Sequence, residues 1–347
     1  MKFYTKNHTH YCGIDLHARC LYLCILDQQG EVLLHKNIKA NPESLLKLIT
    51  PYRDDLVVGV ECMFSWYWVA DLCQREGIPF ILGHALYMRA IHGGKAKNDK
   101  IDSHKIATLM RGGMFPEAYV YPREMRGTRD LMRRRMHLMR KRSELLAHVH
   151  NTHSQYNLPE IKKNLRYAFN REGIAERFDD ASVSKSIELD LNLIDYYDRQ
   201  LSKVEWPILQ QAKACDQHSL ILLRTVPGIG QILSLVILYE LHTIERFPTV
   251  QNFASYCRLI KCRRESAGKS YGTAGAKIGN AYLKWAFSEA AVLFLRKNPE
   301  AQTWLEKKAQ QHNKARALTI LAHKLGRAVY FMLKRKTVFD QERFLNS

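Results

Sequence analysis

The chain has 347 residues, of which 53 are Lys or Arg and 34 are Asp or Glu, a formal charge of +19. A hydrophobic fraction of 46% is too high for a disordered chain, and the length allows two or three domains with cores of their own. This excludes a disulfide scaffold, a collagen-like fibre and a low-complexity tail, and the cationic surplus points first to nucleic acid as partner and second to an anionic membrane surface.

The N-terminal sequence has neither the apolar core nor the cleavage site of a signal peptide. The most apolar stretch, residues 220–241, is interrupted by Arg224, Pro227, Gly228 and Gly230 and does not read as a membrane span. The eight cysteines form no CxxC pair. A cytoplasmic protein with reduced thiols is expected.

Strand and helix signals alternate over the first 120 residues. Residues 11–16 read as a short apolar strand with Asp15 near its end, and residues 20–26 as a second. The turn Asp27-Gln28-Gln29-Gly30 leads to a third at 31–35. A helix over 42–50, a buried strand over 56–60 ending at Glu61, a helix to about Glu76 and a strand over 79–82 follow. This order predicts a mixed sheet with helices packed on it. A glycine- and lysine-rich loop over 92–98 precedes a helix over 99–111.

From about residue 122 the character changes, as glycine thins out and charge becomes dense. Apolar residues at helical spacing predict two long helices, joined near Asn157-Leu158-Pro159, as an antiparallel coiled-coil arm. Basic residues crowd the first helix and acids the second. Arg133, Arg134, Arg135, Arg140, Lys141 and Arg142 are expected to meet nucleic-acid phosphates, against the plainer reading of a solvated helix face. The remainder is mostly helical, with a glycine-rich loop at 266–279. The expected domains are therefore 1–121, 122–217 and 218–347.

Three constellations carry chemistry. Asp15 and Glu61 each end an apolar strand, and Asp99 and Asp102 share one face at the start of a helix. Singly each has a bland role, Asp99 for instance as a helix cap. Together at a sheet's carboxyl edge they would repel one another unless a cation sat among them. Hard oxygen donors select Mg²⁺ or Mn²⁺, which serve phosphoryl transfer. The second constellation, Thr225-Val226-Pro227-Gly228-Ile229-Gly230, looks like a helix-hairpin-helix whose Gly228 and Gly230 let backbone N–H groups meet a DNA phosphate. The third is the run from Arg263 and Arg264 through Ser266, Lys269 and Ser270 to Lys277. Its hydroxyls, glycines and cations suit a phosphate-gripping loop. From the residues alone the favoured reading is a basic binding loop without covalent chemistry, because a serine in a glycine-rich loop is weak evidence for a nucleophile.

In this order, these parts resemble the DEDD-type insertion-sequence transposases, a family of guide-RNA-directed DNA recombinases. The matching text is Gly13-Ile14-Asp15-Leu16-His17, Val60-Glu61, Lys97-Asn98-Asp99-Lys100-Ile101-Asp102-Ser103, Pro227-Gly228-Ile229-Gly230, Arg246-Phe247, Ser266-Ala267-Gly268-Lys269 and Ile278-Gly279-Asn280-Ala281-Tyr282-Leu283. The resemblance implies a RuvC-like α/β domain of RNase H fold, a helical coiled-coil arm and a mostly α-helical transposase domain. It makes Asp15, Glu61, Asp99 and Asp102 the metal ligands and Ser266 the nucleophile. Where the family often has glycine directly after the serine, this chain has Ala267 before Gly268, and Ser270 stands as a second candidate.

The resemblance further implies double-stranded donor and target DNA, a guide RNA encoded by the element, and a homodimer or tetramer on DNA with a site shared between subunits. It also implies a nucleoid-associated prokaryotic setting. The expected activity is site-specific recombination in which Ser266 forms a phosphoserine link, with Arg263, Arg264 and Lys269 offsetting charge. The competing readings are a metal-dependent junction nuclease using water, with the serine loop only gripping DNA, and a non-catalytic binding scaffold. Four acids facing a polyanion argue against the scaffold.

Overall fold

A computed structural model describes residues 2–91, 98–274 and 278–346, without the side chains of Ala90, Cys262, Arg263, Arg264, Thr273 and Ala274. The chain divides into two units, Met1–Arg123 and Glu124–Ser347. Sequence patterning places the first boundary two residues earlier, at 121.

In the first unit, β1 (Phe3–Tyr4) pairs with β7 (Phe115–Pro116) beside a five-stranded sheet. That sheet comprises β2 (His10–Leu16), β3 (Cys20–Leu26), β4 (Val32–Lys39), β5 (Leu56–Glu61) and β6 (Phe80–Gly83), in the order β4-β3-β2-β5-β6. β2, β3 and β4 are antiparallel neighbours, whereas β5 lies parallel to both β2 and β6. The helices are α1 (Pro42–Ile49), α2 (Tyr67–Glu76), α3 (Ala85–Ile91) and α4 (Asp99–Arg111). Local chemistry sets their ends. Asn41 accepts a hydrogen bond from Ser44 N at the start of α1, with Pro42 in the first turn. Gly77, at φ 68°, closes α2 in the left-handed conformation.

The strand period of two divides β2 between two cores. Cys12, Ile14 and Leu16 join Leu45, Val69 and Leu72 on one face. Tyr11 joins Ile106 and Met110 of α4 on the other. Gly13 lies on that second face, where a Cβ would fall 2.3 Å from Ser103 O and 2.4 Å from Ala107 N. Gly59, its register partner on β5, would press a Cβ to 2.3 Å from the Met110 sulfur. The two glycines let α4 lie directly on the sheet.

The second unit holds most of α5 (Arg123–Gln155), then α6 (Ala181–Arg224), α7 (Gln231–Leu241), α8 (Val250–Tyr256), the hairpin β8 (Cys262–Ser266) and β9 (Lys269–Ala274), α9 (Ala281–Phe294), α10 (Pro299–Gln311), α11 (Lys314–Arg335) and α12 (Gln341–Asn346). Far along α5 and near the start of α6, Leu146, Val149, Ile187, Leu191 and Ile194 pack together, with Leu165 and Phe178 from the connection. At the other end, Met125, Met132 and Met136 of α5 and Ile208 and Ala212 of α6 enter the same core as α7, α9 and α11. The arm is continuous with the C-terminal helices through this shared core, and α6 runs past residue 217. Its backbone leaves helical geometry at Asp216, whose carboxylate accepts from Ser219 N at 2.9 Å and restarts the helix. Among the described residues, no helix is long and apolar enough to cross a membrane.

Candidate active site

β2 and β5 run parallel with Ile14 opposite Val60, so the next residues along the two strands are Asp15 and Glu61. Both follow the Gly13/Gly59 pair by two positions and lie on the α4 face, at the carboxyl ends of adjacent strands. α4 begins there as well. Asn98 caps it by accepting from Ile101 N at 2.8 Å, so Asp99 is not the cap. The carboxylates of Asp99 and Asp102 occupy the first turn.

His17, one residue beyond β2, stands between two of these acids. Its Nε2 lies 3.4 Å from an Asp15 oxygen and 3.4 Å from an Asp99 oxygen. Donor atoms of Asp15, His17 and Asp99 all fall within 4.8 Å of one another, and this is the convergent ligand group among the described residues. Asp102 contacts Lys105 at 3.5 Å. Burial pushes the Asp15 carboxyl above its usual range; His17 opposes this, and the charges of Asp99 and Asp102 push it further up. A half-buried carboxylate held against like charges fits a divalent cation, and the oxygen-rich donor set suits Mg²⁺ or Mn²⁺. The expectation of four acids omitted His17. Its only signal was its place in the Gly13–His17 run.

In the second unit, the segment expected as a loop is a hairpin. Ser266 pairs with Lys269 across Ala267 and Gly268, at φ 48° and 74°. Positive φ at both central residues is the type I′ pattern, which matches strand twist in two-residue hairpins. Ser266 is exposed at the turn. Ser270 pairs with Glu265, one step further along, and so belongs to the opposite face. Lys269 is exposed; Lys277 and the side chains of Arg263 and Arg264 lie outside the described residues.

The hairpin's return is anchored in protein. Gly279, at φ 92°, leaves no room for a Cβ beside Tyr256 O, 2.6 Å away. Asn280 donates its backbone N–H to the same oxygen. The Asn280 side chain caps α9 through Tyr282 N and Leu283 N. Its amide also donates to Glu240 at 2.7 Å. Glu240 is buried on α7 and accepts from Arg129 at 3.0 Å and from Arg133 at 2.6 and 2.9 Å. Burial would raise the Glu240 carboxyl, but the bonds and charges of Arg133 and Arg129, with Asn280, hold it below its usual range.

Other arm cations are similarly engaged. Arg135 bonds Glu205 at 2.7 Å, and Arg142 lies 2.6 Å from Asp198. Of the six cations expected to meet phosphates, Arg133, Arg135 and Arg142 are thus committed to carboxylates inside the fold. Arg134, Arg140 and Lys141 are exposed, Lys141 beside Glu144 at 2.8 Å. Acids of α6 pair with Arg135 and Arg142, and Glu240 of α7 pairs with Arg129 and Arg133, which charge composition alone does not reveal.

The Gly228 turn is likewise a packing feature. At φ 85° its Cβ position lies 2.5 Å from Phe294 N, so Gly228 is pressed on the backbone of α9. Gly230 is exposed, has nothing within 4 Å of its Cβ position, and precedes α7 without a side-chain cap.

Two family models match the chain. Residues 12–157 match a transposase model of the DEDD IS110 type, and residues 221–306 match one described as the transposase IS116/IS110/IS902 family. The protein is a DNA transposase, an enzyme that cleaves and rejoins DNA strands. It belongs to the IS110 family of DEDD transposases. No curated relative matches the chain.

Proposed function

We propose that this transposase is a site-specific, RNA-guided DNA recombinase whose nucleophile is Ser266. The observation that carries the reading is the placement of Ser266 at an exposed two-residue turn, directly across from Lys269. A serine hydroxyl there is open to a duplex phosphate, and a lysine on the same hairpin face offsets charge on the phosphorane. Ser266 Oγ bonds to phosphorus and the P–O3′ bond breaks. The serine proton leaves and the departing 3′ oxygen gains one. The link is a phosphoserine, and reversal onto another 3′ hydroxyl rejoins strands without ATP. Arg263, Arg264 and Lys277 are proposed to add positive charge at the same phosphate.

Asp15, Glu61, Asp99 and Asp102, with His17 between two of them, are proposed to hold Mg²⁺ or Mn²⁺. When bound, the ion supplies Lewis-acid charge at phosphate oxygens. Asp15 and Asp99 orient His17, and the Gly13/Gly59 floor holds the acids of α4 against those of the sheet. The order β4-β3-β2-β5-β6, with the acids at adjacent strand ends, supports an RNase H-like, RuvC-type reading of this unit. The net charge of +19 supports DNA and guide-RNA binding, and the active form is proposed to be a dimer or tetramer on DNA.

Trapping the adduct on nicked suicide DNA, followed by peptide mapping, tests the reading. The wild-type protein should carry the modification at Ser266, and Ser266→Ala should form no adduct and no recombinant while still binding DNA. Modification at Ser270 would move the assignment. Cleavage by Ser266→Ala, with no adduct in the wild type, would establish a water-using nuclease instead.

A further inference from the structure

The connection between α5 and α6 presents two aromatic rings to solvent. Tyr167 is 57% exposed and Phe169 75% exposed. Their rings stack on each other, with centroids 5.7 Å apart and planes within 20°. They sit on a short turn whose backbone is held from beneath. Arg171, only 5% exposed, donates to Leu165 O at 2.8 Å and to Arg166 O at 3.0 Å. Arg142 donates to Arg166 O at 2.7 Å. Both guanidiniums are balanced by acids of α6. Arg171 reaches Asp195 and Asp198, and Arg142 reaches Asp198. Asn164 adds a brace, accepting from Arg166 N at 3.0 Å and, through its carbonyl, from Asn170 at 2.9 Å.

Two large rings held in water on a fixed turn gain nothing for the core. The buried arginines do not explain the rings, because those bonds go to backbone carbonyls and would form with any side chains at 167 and 169. Lys162, Lys163 and Arg166 are exposed on the N-terminal side of the rings, while the exposed acids Glu172 and Glu176 follow on the other side. A cleft of about 170 Å³ opens beside the turn, lined by polar groups of Ser143, His150, Asn164 and Arg166 and by the apolar Leu146 and Leu165. Flat π-faces with positive charge on one side match one ligand chemistry, an unpaired nucleobase with its phosphates. A protein partner would meet the rings with apolar groups and would gain little from lysines beside them.

We infer that Tyr167 and Phe169 form a stacking platform for unpaired bases, with Lys162, Lys163 and Arg166 holding the adjoining phosphates. The inference rests on the nucleic-acid role of this transposase but not on the serine mechanism. It places single-strand recognition at the α5–α6 connection, where Arg142 of α5 meets the backbone of the turn.

The test uses the full-length protein and single-stranded oligonucleotides carrying 2-aminopurine, as RNA and as DNA, with a blunt duplex of the same sequence. Stacking on an aromatic ring changes 2-aminopurine emission. For the Tyr167→Ala/Phe169→Ala variant, single-strand affinity should fall roughly tenfold to a hundredfold, while duplex affinity stays within about twofold. Tyr167→Phe/Phe169→Tyr keeps both rings and should bind as the wild type does. The RNA and DNA arms show which strand is the source of the unpaired bases. An equal loss for duplex and single strand, or single-strand affinity unchanged in the alanine variant, overturns the platform. A changed oligomeric state in sedimentation with unaltered single-strand binding assigns the rings to a protein contact instead. Adduct formation on nicked DNA by the same variants reports the serine reading separately, so failure of one is distinguishable from failure of the other.

Discussion

Gly13 and Gly59 face each other across the parallel pair β2–β5, and helix α4 lies on both. Two residues beyond them stand Asp15 and Glu61. The bare floor sets how closely the acids at the N-terminus of α4 approach those on the strands, so a packing detail of the sheet governs the candidate metal site.

Gly13→Ala should therefore impair both stability and function. The new methyl meets backbone atoms of α4, which cannot swing aside as a flexible side chain would. The expected cost is about 3 kcal/mol, at the upper end of overpacking. Urea unfolding should show a lower midpoint with unchanged slope, and DNA cleavage should fall further than stability explains. An unchanged midpoint would mean that α4 shifts freely over the sheet.

Asp15→Asn should separate stability from activity. With chelator present, removing one charge from a crowded acidic group should raise the melting temperature, because burial and the charges of Asp99 and Asp102 oppose ionised Asp15. Added Mg²⁺ should raise the melting temperature of the wild type and not that of the variant, which should also lose recombination. Full recombination by wild type in chelator would remove the metal role altogether.

Glu240 has the opposite electrostatics, with a carboxyl held below its usual range in the folded state. The unfolded chain binds its proton more readily, so the stabilisation is complete above the ordinary carboxylate range. It is lost as pH falls through the lower folded value. Glu240→Gln leaves Arg129 and Arg133 without their carboxylate and should cost about 3–5 kcal/mol at neutral pH, the usual penalty for breaking a buried pair. Its stability should also vary less with pH on the acid side. Unfolding midpoints from neutral to acid pH, compared between wild type and variant, check both points.

On the arm, exposure separates two kinds of arginine. Substituting Arg134, Arg140 and Lys141 with Gln should lower the slope of log affinity against log salt by about 1 for each lost phosphate contact and leave the melting temperature nearly unchanged. Substituting Arg135 or Arg142 should lower the melting temperature instead, since each is paired with an acid of α6. A salt slope unaltered by the first set would make this face a structural one.

Local signals set much of this molecule. Short apolar runs located β2 and β3, and the helix read from Asp99 to Arg111 after the glycine- and lysine-rich stretch is α4. Those patterns depend on neighbours a few residues apart, and so they survive in the chain order. The acids at strand ends were visible for the same reason. What escaped depends on distant partners. Arg133 looks like a phosphate ligand until Glu240, 107 residues away, closes on it. The close approach of α9 to Gly228 is likewise invisible in the chain order, and Ser266 looks like part of a loop until β8 and β9 pair around it. Composition records how many charges and glycines the chain has. Only folding determines which of them are used up on one another, because an ion pair or a close approach is a property of two segments and neither carries it alone.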